Sequence, residues 1–498
     1  MDELTTARVL IRDAGAEFAD QPAVADRLAS IAARLDQPPR VALAGTLKAG
    51  KSTLLNALVG EEIAPTDATE CTTVLTWFER SATPRVEVVE RDGRRTGLPV
   101  RRTDGRLVLD LGGVAPAEVR RLTVGWPSSL LDRYTLIDTP GTSSNSHDVS
   151  ARTEEFLFPA GPGDPPCPAD AIVYLMRSRH DCDVELLDRL RDRSDGGGPL
   201  GVIGVLSRAD ETTVNGPDRA DPTASPGGMD SARAAAARLR GDPELAGVHR
   251  DFIAVSGLLA LRGRTLRERE FRLLATLAGW PDEARRAALL SPGRLAGIEG
   301  LGAGRAEREW LLDRFGLIGI RTAVELVRLG ARDAPALADA LLAHSGLEQL
   351  RDALRTRIGG RHGQLKAHTA VRELRAALRN QPARRASRLL RAADRLLADP
   401  HPLTELRVLA RLAVLPLPEP TRAALDRVLG GAGTAPTTRL GLPPDVRPHH
   451  LRTAAGAALA HWHRQLDEPL LDPGTALAYR AAVRSCEVLI AREWQWSS

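Results

Sequence analysis

Lysine is almost absent from this chain. Of 68 basic residues only Lys48, Lys51 and Lys366 are lysine, and two of the three fall within one eight-residue stretch. Arginine serves nearly everywhere else, so a compact ammonium at that stretch points to a tight backbone cradle that a planar guanidinium would not enter. Aromatic residues make up 3% of the chain, which leaves little material for stacking nucleic-acid bases. The four cysteines, Cys71, Cys167, Cys182 and Cys486, lie far apart with no C-x-x-C pair. That excludes a cysteine zinc site or a disulfide framework and suits a reducing cytoplasm. No apolar run approaches the roughly 18 residues of a membrane span, so any membrane contact is expected to be peripheral. The acidic start, Met1-Asp2-Glu3-Leu4, does not read as a signal peptide, and the protein is expected to be intracellular. A formal charge of +4 rules out a polycation as a whole. Basicity is nevertheless uneven: residues 351–395 hold thirteen Arg/Lys against Asp352, Glu373 and Asp394, a net of +10. Such a stretch can be a solvated helical face or a surface for phosphates.

Periodicity divides the chain. Residues 2–36 read as two short helices broken near Gln21-Pro22, with Leu28, Ile31 and Leu35 at helical spacing. After Pro38-Pro39, short apolar strands are expected at 40–44, 134–137, 171–176, 201–206 and 252–254, with a helix over 52–59. Strands alternating with helices predict a doubly wound α/β sheet. A β-rich insertion is expected between Pro84 and Trp126, with hairpin turns at Asp92-Gly93 and Asp104-Gly105. Stretches rich in Gly, Pro and Asp at 161–168 and 216–228 read as mobile loops. Beyond about residue 270 helical spacing dominates, as in Trp310, Leu311, Phe315 and Ile318, and Pro/Gly breaks cut this half into several helices.

The chemistry concentrates at the strand ends. Gly45-Thr46-Leu47-Lys48-Ala49-Gly50-Lys51-Ser52 matches G-x-x-x-x-G-K-[ST] between a strand and a helix. In this motif Gly45, Ala49, Gly50 and the turn into Thr53 wrap phosphates with backbone N–H groups at a helix N-terminus. Lys51 is expected on the β- and γ-phosphates and Ser52 on Mg²⁺. Asp138-Thr139-Pro140-Gly141 follows the 134–137 strand. Asp138 is expected to hold the metal through water, and the Gly141 N–H to sense the γ-phosphate. Ser207-Arg208-Ala209-Asp210 has the form of the guanine-reading [NT]-K-x-D, departing from it at Ser207 and Arg208. Asp210 can accept from guanine N1 and N2, a donor pair that adenine lacks, while the Arg208 stem lies over the purine. Ser256-Gly257 has the form of the last base-contacting loop. Between the first two motifs, Thr69, Thr72 and Thr73 compete to be the threonine that binds Mg²⁺ only when a γ-phosphate is present.

Together these residues resemble the dynamin superfamily of large GTPases. The resemblance rests on residues 45–60, on Ala64-Pro65-Thr66 leading to Thr72, and on residues 138–141. Closer still, the chain is similar to the actinobacterial isoniazid-inducible dynamin-like GTPases, C-type member. The resemblance implies an α/β P-loop GTPase domain over 39–275 and an α-helical bundle of neck and trunk type over 276–498. The N-terminal helices, 1–38, would pack with that bundle. It implies GTP hydrolysis, GTP/GDP with Mg²⁺ as ligands, and Ser52, Thr72 and Asp138 around the metal. Lys48, Lys51, Ser52 and Thr72 would act in catalysis, with no glutamine positioning the water. Lys48 stands where relatives carry a serine or an arginine finger, and its ammonium is expected to neutralise charge developing between the β- and γ-phosphates, against the alternative that it points to solvent.

The family also implies dimerisation through G domains, either with a second copy or with a related dynamin-like GTPase. It further implies membrane action in cell-envelope stress, with the protein cytoplasmic and peripheral at the inner face of the membrane. The candidate membrane tip is 401–420, where Leu412-Ala413-Val414-Leu415 runs into Pro416-Leu417-Pro418, against the alternative of an ordinary interhelical turn buried in the bundle. Two other functions compete: a GTPase switch acting on RNA or the ribosome, which the sparse aromatics disfavour, and a slow nucleotide-gated scaffold paired with a related GTPase.

Overall fold

The computed structural model describes residues 3–66, 73–103, 105–141, 147–158, 167–194, 201–211, 228–242, 244–245, 252–398 and 401–494. Eleven strands are described: β1 (Arg40–Gly45), β2 (Thr76–Arg80), β3 (Arg85–Glu90), β4 (Arg95–Leu98), β5 (Arg101–Thr103), β6 (Arg106–Val108), β7 (Val119–Trp126), β8 (Thr135–Asp138), β9 (Ala171–Met176), β10 (Gly201–Ser207) and β11 (Phe252–Val255). Nine of them form one mixed sheet in the order β11-β10-β9-β1-β8-β2-β7-β3-β4, and β5 pairs with β6. β1 runs parallel to both neighbours, with Leu43 opposite Asp138 on β8 and Val173 on β9. Residues 41–45 and all of β9 are buried, as their unbroken apolar runs require when helices cover both faces. From β1 the chain crosses to β2 on one side and returns through β8 before passing to β9 on the other, so the carboxyl end of β1, between β8 and β9, opens a crevice for ligands. The insertion forms the two expected hairpins, β3–β4 around Asp92-Gly93 and β5–β6, in which Thr103 pairs with Arg106.

The two N-terminal helices, Glu3–Glu17 and Pro22–Arg34, bury Ile11, Leu28 and Ile31 in one core with Leu374 and Leu378 of helix His362–Leu378 and Leu389 of helix Ala383–Ala398. Lys366 clamps this union, its ammonium donating to the carbonyls of Leu35 (2.7 Å) and Gln37 (3.0 Å) beyond the second helix. A second helical core joins Leu259 to Leu274, Phe315, Leu337 and Leu341. The boundary expected at 275 therefore lies inside helix Glu268–Ala278 and inside this core. Helix Arg305–Arg328 within it breaks at Gly316 (φ 61°, ψ 164°).

The third core favours one of the two readings of 401–420. Leu412 and Leu417, placed by sequence in an apolar tip, are buried with Leu425, Trp462 and Tyr479, and Leu415 packs beside them. A short apolar run between helices has more to gain from that core than from water, so 412–418, between helices His401–Arg411 and Glu419–Val428, is an interhelical turn. Among the described residues no helix is long and apolar enough to cross a membrane. The loop readings at 161–166 and 216–227 lie outside the described residues.

Candidate nucleotide site

The loop between β1 and helix Lys51–Val59 is held open by its glycines. A Cβ on Gly45 (φ +144°) would lie 2.1 Å from the Leu175 carbonyl oxygen, and Gly50 (φ 88°) caps the helix in the left-handed region. Lys51 is 8% exposed and its ammonium donates to the carbonyls of Gly45 and Thr46, both at 3.0 Å. Burial lowers the Lys51 pKa, partly opposed by the nearby Asp138 carboxylate. Ser52 donates from Oγ to Asp138 Oδ2 at 2.7 Å.

Asp138 stands at the end of β8, and its Oδ1 is buried without a hydrogen-bond partner. Burial raises its pKa against the pull of Lys51 and the Ser52 hydrogen bond. Burial thus disfavours the charged forms of both Lys51 and Asp138, and phosphate beside one with a cation beside the other would favour them. A serine hydroxyl and a carboxylate are hard oxygen donors, which suits Mg²⁺. Ser52 would bind it directly and Asp138 through water, and the bound ion would offset charge on the phosphates.

The next loop abuts the first. A Cβ on Gly141 would come within 2.8 Å of the Leu47 Cα, so only glycine brings this backbone N–H against the phosphate loop. Thr139 Oγ1 donates to the Leu43 carbonyl at 2.9 Å, and Thr153 of helix His147–Leu157 donates to the Pro140 carbonyl at 2.8 Å. Lys48 is exposed, sits in the left-handed region (φ 60°) and has no hydrogen bond or ion pair with a described residue. Thr69 and Thr72 lie outside the described residues; Thr73 is described.

At the end of β10, Asp210 is held by the hydroxyl of Ser256, and burial raises its pKa despite that bond. Ser256 is fully buried and also caps helix Gly257–Thr265 by accepting from Leu259 N at 3.2 Å. It therefore orients Asp210 from behind. Ser207 is likewise committed, donating to the Met176 carbonyl at 3.0 Å and fastening β10 to β9. Arg208 is left-handed (φ 50°) and bends back to Glu211 Oε1 at 3.1 Å, while Glu211 Oε2 also takes Arg177 at 3.3 Å. Gly257 lies against Thr53 and Leu54 of the phosphate helix.

Two contributors escape sequence reasoning. Glu211 was hidden because a charged residue after a motif looks like ordinary surface. Asn56, fully buried, donates to the Ala64 carbonyl (2.8 Å) and accepts from Ile63 N and Ala64 N (2.9 and 2.7 Å). It fixes the chain entering the segment that leads to Thr72. A polar residue inside the apolar run Leu54-Leu55-Asn56-Ala57-Leu58 was the available signal, since buried amides need partners.

Comparison with known proteins follows the same residues. The model of the Dynamin family matches residues 41–209. Isoniazid-induced protein IniC of Mycobacterium tuberculosis is 43% identical over 469 residues, which cover 93% of this chain and 92% of IniC. A bacterial dynamin-like protein of Nostoc punctiforme is 29% identical over 161 residues, 29% of this chain and 21% of that protein. Isoniazid-induced protein IniA of Mycobacterium tuberculosis is 39% identical over 124 residues, 23% of this chain and 19% of IniA. With IniC matched at that identity over nearly all of both chains, this protein belongs to the dynamin family, among its bacterial dynamin-like members.

Proposed function

We propose that this protein binds Mg²⁺·GTP at the crevice above β1 and hydrolyses it to GDP and phosphate. The observation that carries the reading is the meeting of three elements at one sheet edge: Lys51 in its carbonyl cradle, Ser52 on Asp138, and Asp210 held by Ser256. Lys51, Ser52 and Thr72 serve the reaction, and Arg208 and Asp210 select guanine. Lys48 is proposed to neutralise developing phosphate charge. Asp210→Asn provides the test, because an amide offers a donor where guanine also donates. GTP affinity should fall by about 100-fold, with weak ATP affinity unchanged, for the loss of a bidentate pair. Equal GTP affinity in the variant and the parent overturns guanine recognition by Asp210.

The family suggests dimerisation through the nucleotide face, with a second copy or a related dynamin-like GTPase, and peripheral action on the inner face of the cell membrane in envelope stress. One surface supports the membrane part. Arg384, Arg388, Arg391 and Arg395 form an exposed stripe along helix Ala383–Ala398, whose opposite face is buried through Ala386, Leu389 and Ala393. Apolar insertion is closed to this helix, and attraction to anionic headgroups is open to it at about 1 kcal/mol per arginine. Vesicles containing anionic lipid should float the protein, and charge reversal of all four arginines should release it. Binding to RNA alone, with no flotation in any nucleotide state, overturns the membrane reading.

A further inference from the structure

Helix His147–Leu157 carries two adjacent residues that reach into different loops of the site. Thr153, fully buried, donates to the Pro140 carbonyl, one residue before Gly141. Arg152 turns the other way. Its Nη1 donates to the Thr73 carbonyl at 3.0 Å and its Nη2 to the Pro116 carbonyl at 2.7 Å. Thr73 directly follows Thr72 in the chain, and three residues later Thr76 pairs with Asp138 across β2 and β8. Pro116 lies in the turn leading into β7, the strand beside β2.

We infer that Arg152 is a positioning residue for the reaction: it fastens Thr73, at the entry to β2, to the helix that holds Pro140 beside Gly141, so that Thr73 and Gly141 move as one body. The assignment rests on the GTPase reading above. The chemistry suits the task. A guanidinium presents its N–H donors in a rigid planar fork, so it can hold two carbonyls of separate segments in fixed relation. A lysine at the same place is a point donor on a flexible stem. Arg152 and Thr153 together leave the helix no freedom to follow one loop without the other. A γ-phosphate that draws in Gly141 is thereby linked to Thr73 and the start of β2, while a ligand lacking that phosphate does not draw on this link.

The experiment uses the full chain with Arg152→Ala and Arg152→Lys. It reads kcat and KM for GTP, and separately the affinities for GDP and for a non-hydrolysable GTP analogue. Both variants should keep GDP affinity within about twofold. The preference for the analogue over GDP should fall at least about fivefold. Turnover should fall about tenfold or more in Arg152→Ala, with Arg152→Lys recovering part of it. If circular dichroism shows that the alanine variant fails to fold, the lysine variant is held to the same criteria. The inference is overturned by turnover within twofold of the parent with the preference intact, or by equal losses of GDP and analogue affinity, which would mark general loosening. A parent protein that binds no guanine nucleotide defeats the GTPase reading itself, and that result is distinct from either.

Discussion

Glu62 and Arg314, 252 positions apart in the chain, meet in the interior at 3.2 Å. The same carboxylate accepts from Arg262 at 3.0 Å and pairs with Arg106 at 2.9 Å, while Arg314 also reaches Glu270. Glu62 stands just ahead of Ile63-Ala64-Pro65, at the root of the segment leading to Thr72. Arg314 lies two residues before the break at Gly316 in helix Arg305–Arg328. One buried carboxylate thus joins the sheet insertion, the helix after β11 and the start of the helical half.

Removing that charge should be costly. Burial alone would raise the Glu62 pKa, but Arg262, Arg106 and Arg314 outweigh it and hold the carboxyl below its ordinary range. Glu62→Gln leaves buried guanidinium groups without their counter-ion, and unfolding in urea should show a loss of roughly 3–5 kcal/mol. A variant as stable as the parent would show that Glu270 alone suffices for these arginines.

The third helical core has its own ionic centre, and it sets a dependence on acid. Glu405 accepts from Arg361 at 2.9 Å and from Ser485 at 2.6 Å, and pairs with Arg439 and with His401. Burial opposes ionisation, yet hydrogen bonds from His401 and Ser485 and the charges of Arg439 and Arg361 hold the carboxyl far below its ordinary 4.5. A depressed folded pKa adds stability above the unfolded pKa and loses it as pH falls toward the folded one. The parent should therefore be more stable than Glu405→Gln near neutrality, and the gap should narrow as pH drops below about 4.5. Melting temperatures of both proteins across that range decide it; a gap that stays constant rules out the linkage.

Metal and nucleotide should stabilise together. With GDP and Mg²⁺ at about 100 times their dissociation constant, the folded state should gain about 2.7 kcal/mol, seen as a raised melting temperature. Chelation with EDTA should remove part of that gain in the parent and none in Ser52→Ala. If the alanine variant responds to EDTA as the parent does, Ser52 does not bind the metal.

Lys48→Ala separates two uses of an exposed ammonium. At saturating GTP, loss of a group that stabilises developing charge should lower kcat by about 10–100-fold with little change in KM. Unchanged turnover returns Lys48 to solvent.

Much of this was legible from residue order. The strands at 171–176 and 201–206, both insertion hairpins and the three loop motifs at the sheet edge are local patterns of apolar runs and turn residues, and local patterns are written in consecutive positions. The reading of 401–420 stayed open in the sequence because Leu412-Ala413-Val414-Leu415 looks the same whether it meets lipid or Trp462. Only tertiary packing chooses between them. The core around residue 275 was hidden for a similar reason: Leu259 and Leu341 meet in it, and no run of residues announces that. Ion pairs such as Arg34–Asp170, at 2.9 Å, were beyond reach because each partner alone looks like surface.

The scarcity of lysine has one more consequence, now that each is placed. Lys51 and Lys366 are 8% and 7% exposed, with their ammonium groups locked on backbone carbonyls. Lys48 alone faces solvent. An amine-reactive dye would meet, apart from the chain's terminal amine, a single accessible lysine at the mouth of the nucleotide crevice. The rate of labelling at that one position, compared with and without nucleotide, would read how far a ligand in the crevice shields Lys48.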